Sequence, residues 1–156
     1  MKHIISVLVE NRFGVLARIS GLFSARGFNI SSLAVGETED PAISRMTIVV
    51  KGDDKILEQV KKQLNKLIDI IHVKDYIKKE HIDRELMLFK VLVNKQSNDK
   101  VLKILKESCA KIIQIKEDSI VVEIVGGQDE IDKLLNVLNK FEIKEMVRTG
   151  RIAMEL

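Results

Sequence analysis

The spacing of apolar residues switches between two periods along the chain, and the order of those switches limits the fold more than any other feature. Residues 3–10, HIISVLVE, are apolar almost throughout and rich in β-branched side chains, as in a strand buried on both faces. Over 15–25 the spacing becomes helical. Val15, Leu16, Ile19, Leu22 and Phe23 make one stripe, and Gly27 stands where such a helix ends. FNISSLAVG (28–36) predicts a second strand, and ETEDPA, around the only proline, Pro41, predicts a turn. ISRMTIVVK (43–51) alternates Met46, Ile48 and Val50 as a third strand. Gly52-Asp53-Asp54 then stops the strand and offers a cap to a helix running to about Leu67, with Ile56, Leu57, Val60, Leu64 and Leu67 on one face. DIIHVKDY (69–76) is a fourth strand.

The same β-α-β-β-α-β order then recurs. RELMLFKVLV (84–93) reads as a strand, and Val101, Leu102, Ile104, Leu105 and Cys109 mark a helix. KIIQIK and SIVVEIVG form a hairpin around Glu117-Asp118. Ile131, Leu134, Leu135 and Leu138 mark another helix, and FEIKEMVR (141–148) closes the set. Two tandem βαββαβ units are therefore expected, an α+β chain of two ferredoxin-like domains, each an antiparallel four-stranded sheet with two helices on one face. The polar KKEHID (78–83) is the expected linker between a first domain at 1–77 and a second at 84–156. It has no apolar anchor, so the halves should separate. In the first strand Ile5, Val7 and Val9 oppose Ile4 and Leu8, so the face without helices is also apolar. It calls for a cover: the second unit, another subunit, or both.

Composition narrows the function by exclusion. Tryptophan is absent and aromatics make up 4% of the chain, so aliphatic side chains must fill the cores. The net charge is +3, with 11 basic and 9 acidic residues up to Tyr76 and 15 and 14 after it. Neither half has the basic patch of a nucleic-acid binder. Cys109 is the only cysteine, so there is no intramolecular disulfide, and its apolar-facing helical position predicts a small core residue. There is no signal peptide and no long apolar run, so no membrane span is expected and a cytoplasmic location is. His3, His72 and His81 are too scattered for a zinc site, and His72 reads as a sheet-surface residue. Neither G-x-S-x-G nor a P-loop occurs. Gly126-Gly127 before the last helix suits an anion but equally ends a strand. The acid pairs Asp53-Asp54 and Asp129-Glu130 stand at helix starts, where the macrodipole favours them. Acylphosphatase shares the βαββαβ order, but no Arg-centred turn that would cradle a phosphate is present. No catalytic residue and no metal ligand is assigned.

The stretch ENRFGVLARISGLFSARGFNI (10–30) remains. Asn11 leaves the first strand, Gly14 precedes the helix and Asn29 begins the second strand. A helix start offers free N–H groups and partial positive charge, glycine permits close approach, and Asn side chains both donate and accept. This set suits a small zwitterion. It also suits two tight turns, and the residues alone leave both readings open.

The run VENRFGVLARISGLFSARGFNISSLAVGETEDPAISRMTIVV resembles the N-terminal ACT domain of the small regulatory subunits of acetolactate synthase (acetohydroxyacid synthase). Its carriers are G-V-L-x-R-I-x-G-L-F-x-x-R-G-[FY]-N-I-x-S-L and T-E-D-P-x-x-S-R-M-T. LEQVKKQLNKLIDIIHV continues the likeness, and RELMLFKV and VRTGRIAM are similar to the family's second domain. The resemblance implies a non-catalytic subunit that activates a separate catalytic subunit carrying thiamine diphosphate, Mg and FAD. It also implies feedback inhibition by valine or a related branched-chain amino acid, with 84–156 a regulatory domain. It implies a homodimer through ACT domains that hold the amino acid between chains, Asn11, Gly14, Val15 and Leu16 of one facing Asn29 and Ile30 of the other. The ligand would act by shifting the population of two states. A free-standing ACT-domain sensor of another pathway, or of transcription, is the alternative.

Overall fold

The computed structural model describes residues 2–76 and 79–156. Met1, Ile77 and Lys78, and with them the expected domain edges at 77 and 78, lie outside the described residues. The first six elements are β1 (Lys2–Glu10), α1 (Val15–Ala25), β2 (Ile30–Glu37), β3 (Ile43–Lys51), α2 (Asp54–Leu64) and β4 (Ile70–Asp75). Their sheet order, β2-β3-β1-β4, with β1 antiparallel to both of its neighbours, is the expected ferredoxin-like topology. Alternation sends Ile5, Val7 and Val9 of β1 and Met46, Ile48 and Val50 of β3 to the helix side. There they meet Val15, Ile19 and Phe23 of α1 and Leu57, Val60 and Leu64 of α2. Fully burying one such side chain contributes roughly 1.5–3 kcal/mol, which is why the apolar periods decide the fold. Asp53 caps α2, its carboxylate accepting from the Ile56 N–H at 2.9 Å.

The second unit repeats the design with β5 (His81–Leu92), α3 (Asn98–Lys106), β6 (Lys111–Ile115), β7 (Ser119–Gly126), α4 (Gln128–Leu138) and β8 (Ile143–Arg148), in the order β6-β7-β5-β8. Met87, Phe89 and Val91 pack against Val101 and Leu105 of α3 and Ile131, Leu134 and Leu138 of α4. Glu85 is held by both arms of the Arg148 guanidinium, at 2.9 and 2.7 Å.

Three features differ from the sequence reading. α3 ends at Lys106, so Cys109 lies past it and is exposed rather than in the core. β2 begins two residues late because Phe28 turns inward, its ring 6.5 Å from that of Phe23 in an edge-to-face contact. The third difference is a strand that was not expected, β9 (Ile152–Glu155), and it changes the division of the chain. Arg151–Leu156 belong with Met1–Ile82, and the other unit is Asp83–Gly150. The two units are thus not consecutive halves joined at 78–83. His81–Asp83 are strand, and the first unit contains the final six residues.

The cause is the apolar face without helices. Gly150 turns the chain at φ +84°, and Ala153 is buried against Ile4, Val49 and Tyr76. The Tyr76 hydroxyl donates to the Ala153 carbonyl at 3.1 Å, the Arg151 N–H donates to Ser32 Oγ at 3.0 Å, and the Leu156 N–H donates to the Glu80 carbonyl at 3.2 Å. Glu155 pairs with Lys74 and, at 3.4 Å, with Lys79. The chain's own C-terminal segment covers part of the face for which a second unit or subunit was expected.

Candidate functional site

The carboxy end of β1 and the start of α1 form an open end of the first unit, with Asn11, Arg12, Phe13 and Gly14 all exposed. The β1–α1 loop spans residues 11–14, and its shape is set by Gly14, which caps α1 at φ +81° with no side-chain cap. A residue with a Cβ would be strained there, and that Cβ would lie 3.2 Å from Nη1 of Arg18. The first turn of α1 carries no acidic residue; the Val15 N–H has Arg12 as backbone acceptor at 3.4 Å and the Arg18 N–H has Gly14 at 2.9 Å. Among the described residues the N–H groups of Leu16 and Ala17 have none, so this helix start can receive an anion.

Asn11 stands beside it. Its Nδ2 donates to Glu37 Oε1 at 3.0 Å and to the Pro41 carbonyl at 2.9 Å, and its backbone N–H donates to Ala42 at 2.7 Å. The side chain therefore ties the end of β1 to the end of β2 and to the β2–β3 turn. Both of its amide hydrogens are spent within the chain. What it can offer a ligand is Oδ1, an acceptor, next to the Glu37 carboxylate. On the helix side stands an ion pair whose cation is the more exposed partner. Arg18 Nε donates to Asp69 Oδ2 at 2.8 Å, with Asp69 buried and Arg18 half exposed, and the Asp69 carbonyl accepts from the Glu10 N–H at 2.9 Å.

Of the six residues singled out from sequence, the fold brings four together and holds two apart. Asn11, Gly14, Val15 and Leu16 share this end. Val15 is buried in the core, so only its backbone can face a ligand, whereas Leu16 is exposed. Asn29 and Ile30 lie at the opposite end. Glu10 is level with Ile43, while His3 is level with Val50, which pairs with Ile30. Seven residues of extended chain separate those levels, about 24 Å at ~3.4 Å per residue. Within one chain the two asparagines do not converge. Asn29 is exposed and makes no hydrogen bond among the described residues.

Glu37, Pro41, Arg18 and Asp69 were not singled out as site residues. Arg18, one helical turn beyond Gly14, had a local signal; Asp69, fifty-one residues further on, had none. In the second unit a cavity of 370 Å³ between α3 and α4 is lined mainly by Ile104, Ile124, Leu134 and Val137 with Cys109. No group of three or more His, Cys, Asp or Glu among the described residues is placed to hold a metal, and no helix there is long and apolar enough to cross a membrane.

Comparison with known proteins covers both units. Residues 5–72 match the model of the AHAS small subunit-like ACT domain, and residues 84–156 match that of the small subunit of acetolactate synthase. A probable acetolactate synthase small subunit of Archaeoglobus fulgidus is 47% identical over 99% of this chain and 96% of its own. The acetolactate synthase small subunit of Aquifex aeolicus is 46% identical over 98% and 80%. The crystal structure of the acetolactate synthase small subunit from Thermotoga maritima superimposes with a TM-score of 0.87 at 35% identity, over 100% of this chain and 98% of that one.

Proposed function

The chain belongs to the family of acetolactate synthase small subunits, and from that premise we propose that it is the non-catalytic, cytoplasmic regulatory partner of a catalytic large subunit. It activates that subunit and makes it sensitive to valine. The catalytic partner, not this chain, carries thiamine diphosphate, Mg and FAD.

One observation carries the ligand part of the proposal: a helix start with free N–H groups faces the same end of the sheet as a neutral acceptor beside a carboxylate. The amino acid's carboxylate takes the N–H groups of Leu16 and Ala17. Its ammonium takes Asn11 Oδ1 and the field of Glu37. Its aliphatic side chain lies on exposed Leu16.

The second wall comes from a second copy. β2 is an edge strand, and two such edges related by a two-fold axis normal to the sheet run antiparallel. That operation carries Asn29 and Ile30 of the second copy from the far end to the end where Asn11 lies, crossing the 24 Å or so that separates the two sets in one chain. Valine then clamps two chains in one orientation, and the large subunit responds to it. The ligand can shift that equilibrium only by as much as its affinities for the two orientations differ.

The test is reconstitution. The tagged chain, drawn from its native cell, should bring down a thiamine-diphosphate enzyme whose acetolactate production rises with this subunit and falls with valine. A chain that binds valine and captures no such enzyme is a free-standing sensor instead. A chain that neither binds valine nor confers valine sensitivity on the enzyme it captures overturns the ligand part of the proposal.

A further inference from the structure

Arg18 and Asp69 are tied to the ligand loop more closely than a surface ion pair needs to be. Asp69 is buried and fixed from both sides. Its backbone carbonyl takes the Glu10 N–H at the end of β1, and its carboxylate takes Arg18 Nε at 2.8 Å. In a guanidinium held at Nε, Nη2 lies on the carboxylate's side and Nη1 on the opposite side of the same plane. Nη1 lies against the bare Cα of Gly14, where a Cβ would meet it at 3.2 Å, and the Arg18 side chain is about half exposed, at 49%. No other hydrogen bond to this guanidinium occurs among the described residues. The Nη1 donors of a cation otherwise paired to Asp69 therefore stand free at Gly14, at the same helix start as the unpaired N–H groups of Leu16 and Ala17. The facing charge, Glu37, lies on the Asn11 side. Arg12, the other cation of the loop, points to solvent and pairs with Glu10 at 3.2 Å.

We propose that Arg18 is the residue that recognises the ligand's carboxylate, that Asp69 is its positioning residue, and that Gly14 lacks a side chain so that the guanidinium can reach the loop. This rests on the reading that an amino acid binds at the β1–α1 loop, and it adds what selects among such ligands. Compounds with a negative carboxylate bind. Their amides, of the same shape and with the same ammonium, do not bind comparably. The backbone N–H groups alone would discriminate less, because a neutral amide oxygen also accepts from them.

Calorimetry on the full chain with valine and valinamide tests this. The wild type is expected to favour valine by about tenfold or more, the scale of one charge-assisted hydrogen bond. Arg18→Gln, which can still donate to Asp69, should bring that ratio down to within about threefold. Arg18→Lys should restore part of it. Each ratio is measured on one preparation, so a partly unfolded variant lowers both affinities alike and leaves the ratio intact. A merely structural role for Arg18 would likewise weaken both ligands by the same factor. A ratio that Arg18→Gln leaves unchanged, with valine still bound, overturns the proposal and spares the amino-acid reading. No valine binding by the wild type removes that reading and this proposal with it.

Discussion

Asn11→Asp changes almost no volume, yet the structure makes it a perturbation of the fold as well as of the ligand. In the native chain Nδ2 donates to Glu37 at 3.0 Å and to Pro41 at 2.9 Å. The substitution removes both bonds and sets a carboxylate against the Glu37 carboxylate. An ordinary hydrogen bond contributes a net ~0.5–1.5 kcal/mol, and one to a charged group about 1.5–3 at most. Two unit charges 4 Å apart repel by ~1 kcal/mol in bulk water. All three groups are exposed, so the low ends apply and the side chains can swing apart. The expected loss is about 1–3 kcal/mol, against the ~5–15 that hold a domain together. For a unit of this size that is a fall in melting temperature of roughly 5–15 °C, followed by circular dichroism without ligand. Glu37→Gln in the same chain should return much of it, since the new amide can donate to the introduced carboxylate. The double variant should then be more stable than the sum of the two single effects by about 1 kcal/mol. Valine affinity is a separate readout. If Oδ1 faces the ammonium as proposed, the added negative charge should hold or raise affinity, and a tenfold fall would contradict that assignment. A variant that melts like the wild type and shows no coupling to Glu37 would refute the reasoning, because the tie between the ends of β1 and β2 would then carry no load.

Tyr76→Phe keeps the ring against Ile4, Val49 and Ala153 and removes only the hydroxyl that donates to the Ala153 carbonyl. The buried carbonyl loses that donor, so the urea midpoint should fall by the equivalent of ~1–3 kcal/mol, and an unchanged midpoint would mean that the C-terminal segment does not brace the first unit. Lys61 joins α2 to β4, and its hydrogen bond to Asp75 at 2.6 Å, helped by Glu58, raises its pKa above the ordinary 10.5. A cation whose folded-state pKa is raised stabilises fully below 10.5 and loses that contribution as pH rises through the folded value. Lys61→Met should therefore be less stable than the wild type at neutral pH, and the gap should close at strongly alkaline pH. Parallel stability curves across that range would be the contrary result.

Periodicity made the elements legible because burial follows it directly. Val15, Ile19 and Phe23, read as one stripe, are the buried face of α1, and Met46, Ile48 and Val50, read by alternation, face the core from β3. Local chemistry also read true at the caps, where Asp53 takes the Ile56 N–H. The losses came where a residue's fate depends on something far away in sequence. Cys109 fits the apolar stripe, but the helix had already ended. Ile152–Glu155 is too short to carry a period of its own, and what buries its Ala153, the face of Ile4 and Val49, lies more than a hundred residues away in sequence. The geometry of the candidate site was legible only in part, for the same reason. Asn11, Gly14, Val15 and Leu16 are neighbours in sequence and in space, but the partners that orient the loop, Glu37 and Asp69, arrive through sheet pairing.

The two edges of the first sheet are not equivalent, and the difference favours one mode of pairing. β4 ends in His72, Lys74 and Asp75, with Lys74 already paired to Glu155 and Asp75 to Lys61. A strand approaching that edge would have to displace or desolvate these charges, the device by which natural sheets protect their edges. β2 carries Ser31, Ser32, Ala34 and Gly36, small and uncharged, with its one carboxylate, Glu37, at the far end and engaged by Asn11. It is the edge that can accept a second copy at little cost. On the proposed dimer, pairing there would give two equivalent ligand sites, each built from both chains. If valine contacts both chains as proposed, valine and pairing would reinforce each other by mass action. The same linkage predicts the converse: a substitution that weakens the β2 edge should weaken valine binding, measured by calorimetry, even when every proposed ligand-contacting group is left in place, and unchanged affinity would refute the shared site.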